Sequence, residues 1–239
     1  MIQEILSKQN EKIKDLVKLA KPSEKEARQQ FIVEGFHLLE MALKSNSVVS
    51  IFTLKAIKEV PSNIPQYIVT EEIMEKISST KSPQGVVAIC KMKKEQPISL
   101  NKVLYLDDVS DPGNVGTILR TALAFGYKDI IMSKNCCSVY NEKVTQSSQG
   151  AIFDLNIVKG GIETLKSLKR YEILATEIKG SVSLNEVKHQ DKFVLVLGNE
   201  AHGVSKEILS IADQRIRIDI KDIESLNVAI AGAICMYSL

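Results

Sequence analysis

One stretch of the chain, residues 103–126, does most to limit the folds that are open to it. It begins with the apolar run Val103–Leu106, continues through a turn of Ser, Asp, Pro and Gly, and ends in a helical pattern. Asp111 suits the N-cap of this helix, and Pro112 suits its first position. The order of buried strand, polar turn and helix predicts one strand-turn-helix unit of an α/β sheet.

The predicted helix has two unlike faces. At 100° per residue, one face is apolar and the opposite face carries small and polar side chains. The apolar face comprises Val115, Ile118, Leu119, Ala122 and Leu123, and the opposite face comprises Gly113, Thr117, Arg120 and Ala124. Ligands of open α/β sheets bind at the carboxyl edge of the strands, where this helix begins. From spacing alone, a solvated Arg120 and an Arg120 in a binding site are equally good interpretations.

Strands and helices alternate through the rest of the chain, and in its second part this order indicates a parallel sheet. A polar, charged stretch, Lys91–Pro97, reads as a linker. We therefore expect a small α/β domain over residues 1–96 and a second α/β domain over residues 97–239. Residues 1–30 have a helical pattern with a mildly basic face. Its members are Asn10, Lys12, Lys14, Lys18, Lys21, Lys25 and Arg28.

Charge and cysteine content exclude several protein classes. The net charge is only +2, which does not indicate a strongly basic nucleic-acid binder but permits a local basic patch. Residues 1–97 hold 15 basic and 12 acidic side chains, against 16 and 17 in the remainder, so the small excess lies in the first domain. The four cysteines have neither disulfide nor zinc spacing. The first residues lack the apolar stretch of a signal peptide, and no run of 18 apolar residues occurs. We therefore expect a cytoplasmic protein with reduced thiols, no membrane span and no metal.

Two further stretches combine an apolar strand with a turn rich in Gly or Asn. The first is Leu197–Gly203, in which Gly198 lets the backbone approach a ligand and Glu200 can accept hydrogen bonds from a ribose. The second is Ile218–Ala233, which begins within a strand predicted over residues 216–220. In this stretch Ser225 suits a helix N-cap and Asn227 is a polar group in a tight place. A glycine-rich turn with a surface glutamate, and close helix packing, are the plain alternatives for these two stretches. The dinucleotide pattern G-x-G-x-x-G, the Walker pattern and the usual metalloprotease and serine-hydrolase motifs are absent.

Three motifs together resemble a known family. Asn114-x-Gly116-x-x-x-Arg120, Leu197-Gly198-Asn199-Glu200-x-x-Gly203 and Ser225-Leu226-Asn227-Val228 stand in the order and spacing of the three SpoU motifs. The chain thus resembles the TrmH/SpoU family of RNA 2'-O-ribose methyltransferases in the SPOUT superfamily. Its first domain is similar to the family's substrate-binding domain, which is itself similar to ribosomal protein L30e. The matching residues are Gln9–Lys14, Phe31–Gly35 and Ser82–Ala88.

The resemblance implies a fold and partners that spacing does not supply. The fold is α/β, a parallel sheet with a C-terminal deep trefoil knot (the SPOUT α/β-knot) preceded by the small L30e-like domain; such threading is otherwise essentially absent from proteins. S-adenosylmethionine is the implied cofactor, and the implied cofactor-lining residues are Thr176, Leu197, Gly198, Ile218, Ile220 and Leu226. The implied assembly is a homodimer that completes each active site across its interface. One departure is that the family's Ile-Pro-x-x-Gly is Ile218-Asp219-Ile220-Lys221-Asp222 here.

The implied activity is methyl transfer to a ribose 2'-hydroxyl in RNA, for which Arg120, Asn114, Glu200, Ser225 and Asn227 are the implied catalytic residues. A guanidinium stays protonated at neutral pH in ordinary surroundings. Arg120 is therefore either deprotonated within the complex, or it holds an RNA phosphate and stabilises the developing alkoxide. Asn114 and Glu200 would position Arg120 and the ribose, and Ser225 and Asn227 would fix the motif backbone and the substrate.

Alternatives stay open. The first domain favours large-subunit (23S) ribosomal RNA over tRNA as the substrate. A non-catalytic L30e-like RNA-binding protein is a second interpretation, against which the intact motif residues argue. A nucleotide-dependent oxidoreductase is a third, and the missing glycine fingerprint argues against it.

Overall fold

The computed structural model describes residues 2–80 and 82–239, so Met1 and Lys81 lie outside the described part. The strands are β1 (Ile2–Ile5), β2 (Gln30–Glu34), β3 (Val48–Thr53), β4 (Gln66–Val69), β5 (Val86–Lys91), β6 (Lys102–Leu106), β7 (Asp129–Met132), β8 (Asn156–Lys159), β9 (Glu172–Thr176), β10 (Val182–Ser183), β11 (Phe193–Leu197) and β12 (Gln214–Arg217). The helices are α1 (Glu11–Leu19), α2 (Pro22–Arg28), α3 (Phe36–Lys44), α4 (Glu71–Ile77), α5 (Pro112–Ala124), α6 (Glu142–Ser147), α7 (Ile162–Ser167), α8 (Lys206–Leu209) and α9 (Val228–Ser238), with short 3-10 helices at Ala151–Phe153 and Leu184–Glu186.

The contacts divide the chain into two units. The first unit is Met1–Lys94 together with Tyr140–Phe153, and the second is Glu95–Val139 together with Asp154–Leu239. The predicted boundary between residues 96 and 97 lies close to the change of unit after Lys94 and stays a prediction. The segment 140–153, which falls in the second predicted domain, packs with the first unit.

A five-stranded mixed sheet forms the first unit, in the order β1-β4-β3-β5-β2. Strand β5 runs antiparallel to β2 and β3, whereas β1 and β3 run parallel to β4. The buried face of α1, with Ile13, Leu16 and Leu19, packs in the same apolar cluster as Ile5. The prediction that residues 1–30 are helical is wrong for residues 2–5, because pairing with β4 extends them as a strand.

The predicted basic face is also wrong at Lys25. This side chain is only 6% exposed, and its Nζ donates a hydrogen bond to the carbonyl of Tyr140 at 2.9 Å. The Glu142 carboxylate lies 3.9 Å from the same Nζ. Burial lowers the pKa of Lys25, although Glu142 opposes this. Lys25 therefore anchors the segment 140–153 instead of joining the solvated face.

The second unit contains a seven-stranded sheet in the order β10-β12-β9-β11-β6-β7-β8, and every pairing in it is parallel, as predicted. All five residues of β11 are buried, as expected for a strand that is covered on both faces. Helix α5 begins as predicted: the Asp111 side chain accepts a hydrogen bond from the N–H of Asn114, and Pro112 is its first residue.

Two predictions about the C-terminal segment are wrong. The strand expected over residues 216–220 ends at Arg217, and residues 218–227 form an irregular connection. The last helix begins at Val228 with Asn227 as its N-cap, so Ser225 is not the cap. Asn227 takes this place because its side-chain oxygen accepts from the N–H groups of Ala229 and Ile230. No helix in the described residues has the length and apolar character that a membrane span requires.

Candidate active site

A cavity of about 590 Å³ lies at the carboxyl ends of β9, β11 and β12 in the second unit. Its walls come from the residues that follow these strands and from the connection into α9. The lining side chains and backbone belong to Thr176–Lys179, Gly198–Val204, Lys206, Leu209, Ile216–Ile218, Ile220, Glu224–Leu226, Val228, Ala231 and Cys235. This edge is where open parallel sheets bind their ligands.

Five of the residues that the family resemblance assigns to the cofactor line this cavity, namely Thr176, Gly198, Ile218, Ile220 and Leu226. Leu197, the sixth, does not line it. Its side chain is buried, and a Cβ added to Gly232 of α9 would lie 2.6 Å from its Cδ1, so Leu197 supports the packing of α9 on β11.

The turn at residues 198–204 is tightly folded. A Cβ at Gly198 would lie 2.1 Å from the carbonyl carbon of Gly203 and from the nitrogen of Val204, so only glycine fits there. The backbones of Asn199 and Gly203 exchange hydrogen bonds of 3.0 and 2.9 Å, with Gly203 at φ 70°. The Asn199 side-chain oxygen also accepts from the N–H of Ala201 at 2.9 Å. These bonds present the backbone of the turn to the cavity.

Glu200 binds the start of α5. Its Oε1 accepts hydrogen bonds from the N–H of Asp111 at 3.0 Å and from Nδ2 of Asn114 at 3.1 Å. Its Oε2 accepts from the N–H of Ser110 at 3.3 Å. Burial raises the pKa of Glu200, but hydrogen bonds from Asn114 and from the backbone N–H groups of Glu200, Asp111 and Ser110 outweigh it, so the pKa lies below its ordinary value. The carboxylate is thus held ionised, and it anchors the first turn of α5 to the turn after β11.

Three of the implied catalytic residues form one hydrogen-bonded chain. Asn227 donates from Nδ2 to Oδ1 of Asn114 at 2.9 Å, and Asn114 donates from Nδ2 to Glu200. Asn227 also caps α9, so its side chain joins the first turns of α5 and α9. The structure therefore brings one residue from each of the three motifs together.

Arg120 and Ser225 are not part of this series of hydrogen-bonded side chains. Arg120 is exposed on the predicted polar face of α5, and the described residues offer it neither a hydrogen bond nor an ion pair. It also does not line the cavity within the same chain. Ser225 is exposed on the wall of the cavity.

Sequence reasoning missed Asp107. This residue is 6% exposed, and its Oδ2 accepts a hydrogen bond from the N–H of Ser205 at 2.7 Å. It thereby fixes the end of the turn 198–204. A carboxylate placed directly after the buried strand β6 was the signal that could have identified it.

Within the described residues, neither the cysteines nor other metal-binding side chains form a second reactive site or a metal site. All four cysteines are free, and burial raises the pKa of Cys90 and Cys235 to about 12, so both are inert thiols at neutral pH. Within residues 2–80 and 82–239, no three His, Cys, Asp or Glu side chains gather as a metal site would require.

Comparisons with known proteins agree with this geometry. Residues 101–237 match the SpoU rRNA Methylase family, and residues 10–88 match the MRM3-like substrate binding domain. The 23S rRNA (guanosine(2553)-2'-O)-methyltransferase RlmP of Bacillus subtilis is 32% identical over 247 residues, which cover 100% of this chain and 99% of the relative. The crystal structure of an rRNA methyltransferase from Sinorhizobium meliloti has a TM-score of 0.90 at 26% identity and covers 99% of this chain and 96% of its own. The AdoMet-bound crystal structure of an rRNA methyltransferase from the same organism has a TM-score of 0.89 at 26% identity and covers 99% of this chain and 97% of its own. The three motifs, the cavity that the second and third of them border, and these matches place the chain in the SpoU rRNA methylase family.

Proposed function

We propose that this protein transfers the methyl group of S-adenosylmethionine to a ribose 2'-hydroxyl in 23S ribosomal RNA. The observation that carries the proposal is the cavity at the carboxyl ends of β9, β11 and β12, which five of the six predicted cofactor residues line. The family of the chain and the printed activity of its Bacillus subtilis relative support the choice of reaction and of RNA.

The cavity suits S-adenosylmethionine in size and character. Its volume of about 590 Å³ lies within the range of about 300–1,000 Å³ that drug-sized ligands occupy. Ile216, Ile218, Ile220, Leu226 and Val228 give it an apolar wall for an adenine ring. The turn at Gly198 offers backbone N–H and carbonyl groups. When bound, the cofactor supplies an electrophilic methyl group on a sulfonium.

The hydrogen-bonded residues Glu200, Asn114 and Asn227 beside the cavity align the reactants and do not act as a base. Asn114 and Asn227 fix the first turns of two helices, and Glu200 holds the loop before α5, so the site is ordered before substrate binds. Ser225, on the cavity wall, contacts the substrate in this proposal. Arg120 binds the phosphate next to the target ribose and stabilises the developing negative charge on its 2'-oxygen.

We further propose that the active unit is a homodimer. Arg120 lies outside the cavity of its own chain, and α9 and the C-cap residue of α5 carry exposed apolar side chains that a monomer would leave in water. These are Phe125 (37% exposed), Ile230 (52%), Ile234 (37%) and Tyr237 (77%), with the rings of Phe125 and Tyr237 in edge contact at 5.6 Å. A C2 contact through these helices would let the partner subunit's Arg120 complete each site.

The predicted first domain, residues 1–96, is proposed to bind the RNA. Residues 10–88 match a substrate-binding domain, and exposed lysines of α1, such as Lys12 and Lys18, offer phosphate contacts. Binding to ribosomal RNA also implies a cytoplasmic protein, as expected from the sequence. The trefoil knot stays part of the proposal. Its support is that the connection 218–227, the turn 198–204 and residues 176–179 border one cavity, as a C-terminal segment threaded through a loop would require.

The test is to map 2'-O-methylated positions in ribosomal RNA and tRNA from cells that lack this protein. One position in 23S rRNA should lose its methyl group, and the wild-type gene should restore it while an Arg120→Ala gene should not. Calorimetry with S-adenosylmethionine on the purified protein should show one site per chain. Loss of a tRNA position alone would refute the choice of RNA. Failure to bind the cofactor would refute the enzymatic proposal and favour a non-catalytic RNA-binding protein.

A further inference from the structure

The connection from β12 to α9 forms one wall of the cavity without regular structure. In the described part of the chain, the backbone groups of residues 218–226 make no hydrogen bonds to other backbone groups. Five residues of this connection nevertheless line the cavity, namely Ile218, Ile220, Glu224, Ser225 and Leu226. Because backbone hydrogen bonds do not hold this wall, side-chain contacts must do so, and Asp219 stands between Ile218 and Ile220.

The Asp219 carboxylate makes two side-chain hydrogen bonds. Its Oδ2 accepts from Oγ of Ser183, and its Oδ1 accepts from Nε of Arg217 at 3.0 Å. The parallel register between β10 and β12 pairs Ser183 with Arg217, which brings both donors to one side of Asp219. Ser183 is only 6% exposed, so its hydroxyl is shielded from competing water.

The same cluster reaches the wall of the cavity that follows β9. Arg217 donates from Nη1 to the carbonyl of Ser181, and Ser181 donates from Oγ to the carbonyl of Ile178 at 3.1 Å. Ile178 and Arg217 both line the cavity, as does Ile218. The cluster Ser181, Ser183, Arg217 and Asp219, here called the Asp219 clamp, therefore joins the wall after β9 to the wall after β12.

We propose that Asp219 is a positioning residue for the cofactor: the Asp219 clamp holds both walls of the cavity in the binding conformation. This inference rests on the proposed function, because it concerns the same cavity. Asp219 does not line the cavity itself and acts through Ile218 and Ile220. The clamp sits at the edge of the sheet, on the two-residue strand β10, so its loss leaves the central strands intact.

The clamp predicts a change in cofactor binding and not in the chemical step. A hydrogen bond to a charged group stabilises enough to change an equilibrium constant about tenfold. Asp219→Ala should therefore raise the Kd and the KM for S-adenosylmethionine about tenfold. The kcat at saturating cofactor and the KM for RNA should stay within about twofold of wild type.

The experiment compares Asp219→Ala, Asp219→Asn, Ser183→Ala and the Asp219→Ala/Ser183→Ala double variant by calorimetry with S-adenosylmethionine and by steady-state methyl transfer. Asn keeps one acceptor oxygen, so Asp219→Asn should bind more tightly than Asp219→Ala. Ser183→Ala should weaken binding less than Asp219→Ala, and the double variant should bind no more weakly than Asp219→Ala alone, because both changes break one shared contact. Lys221→Ala is the matched control: it is exposed on the same connection and has no hydrogen bond or ion pair with a described residue.

The outcomes separate the two proposals. A wild-type protein that does not bind S-adenosylmethionine refutes the proposed function. A wild type that binds, beside an Asp219→Ala variant of equal affinity, overturns the clamp while the function stands. A lower kcat with an unchanged KM for the cofactor also overturns it. If circular dichroism shows that Asp219→Ala is unfolded, the milder Ser183→Ala variant decides, and equal affinity in that variant overturns the clamp.

Discussion

Replacing Gly198 by alanine should close the cofactor cavity through a purely steric effect. Gly198 does not have a positive φ, so alanine can adopt its backbone conformation. The new Cβ would lie 2.1 Å from the carbonyl carbon of Gly203 and from the nitrogen of Val204. An ordinary contact begins at 3.4 Å, so the facing backbone must move by more than 1 Å.

The facing backbone is held and cannot move freely. Val204 is 6% exposed, and the next N–H, that of Ser205, donates to the buried carboxylate of Asp107 at 2.7 Å. Overpacking of this kind costs about 1–3 kcal/mol, and a clash with backbone belongs at the upper end. A cost of about 3 kcal/mol leaves the binding conformation populated at about 1% or less, so the apparent Kd for S-adenosylmethionine should rise on the order of 100-fold.

Two other glycines of the same unit provide matched controls. A Cβ at Gly161 meets nothing within 4 Å, so Gly161→Ala should bind the cofactor normally. A Cβ at Gly232 approaches only the tip of the flexible Leu197 side chain, at 2.6 Å, and alanine is the better helix former, so its net effect should be small.

The assay is calorimetry with S-adenosylmethionine on the wild type and these variants, with thermal unfolding of the same samples. Gly198→Ala should lose affinity and unfold at a lower temperature, whereas Gly161→Ala should match wild type in both. A Gly198→Ala protein with wild-type affinity and melting temperature would refute the reasoning, because the turn would then have room that the geometry denies it.

Three further predictions follow from the same site. Arg120→Ala should reduce single-turnover methyl transfer at least about 100-fold while the Kd for S-adenosylmethionine stays unchanged, and Arg120→Lys should also be impaired because it lacks the planar fork; near-normal rates in the alanine variant would remove Arg120 from the chemistry. The pKa of Glu200 is lowered, so its hydrogen bonds stabilise the fold above the ordinary value of 4.5 and this stabilisation is lost as the pH falls through the lowered pKa; Glu200→Gln should flatten that acid-side loss in urea unfolding curves, and an unchanged pH profile would contradict the anchoring role. Ile234→Asp, on the exposed face of α9, should convert a dimer into monomers in sedimentation experiments and abolish activity without changing the fold, whereas an active monomer would refute the proposed interface.

Sequence rules that act over a few residues were sufficient to predict much of the secondary structure of the second unit. The start of α5 depends on Asp111 and Pro112, which act within four residues, so capping preferences located it. The buried strand β11 is apolar at every position, and such a pattern is typical of a strand that is covered on both faces. The family resemblance that the three motifs carry likewise predicted that Asn114, Glu200 and Asn227 belong to one site, although motif spacing gives no distance between them.

Features that depend on partners far along the chain were decided only by the tertiary structure. The short strand β1 exists because it pairs with β4, some sixty residues away. Lys25 is buried because it contacts Tyr140. The helix cap at Asn227 prevails over Ser225 because the same side chain also bonds Asn114 of α5.

The candidate site divides in the same way. Its residue types and their order come from the sequence, which determined the family and the cofactor that the chain is expected to use. Three features depend instead on distances between segments that are up to about a hundred residues apart. They are the anchoring of α5 by Glu200, the contacts of the Asp219 clamp, and the position of Arg120 outside the cavity of its own chain. Such contacts carry no periodic signal in the sequence, because each depends on where the sheet places two strand ends and not on the residues next to them.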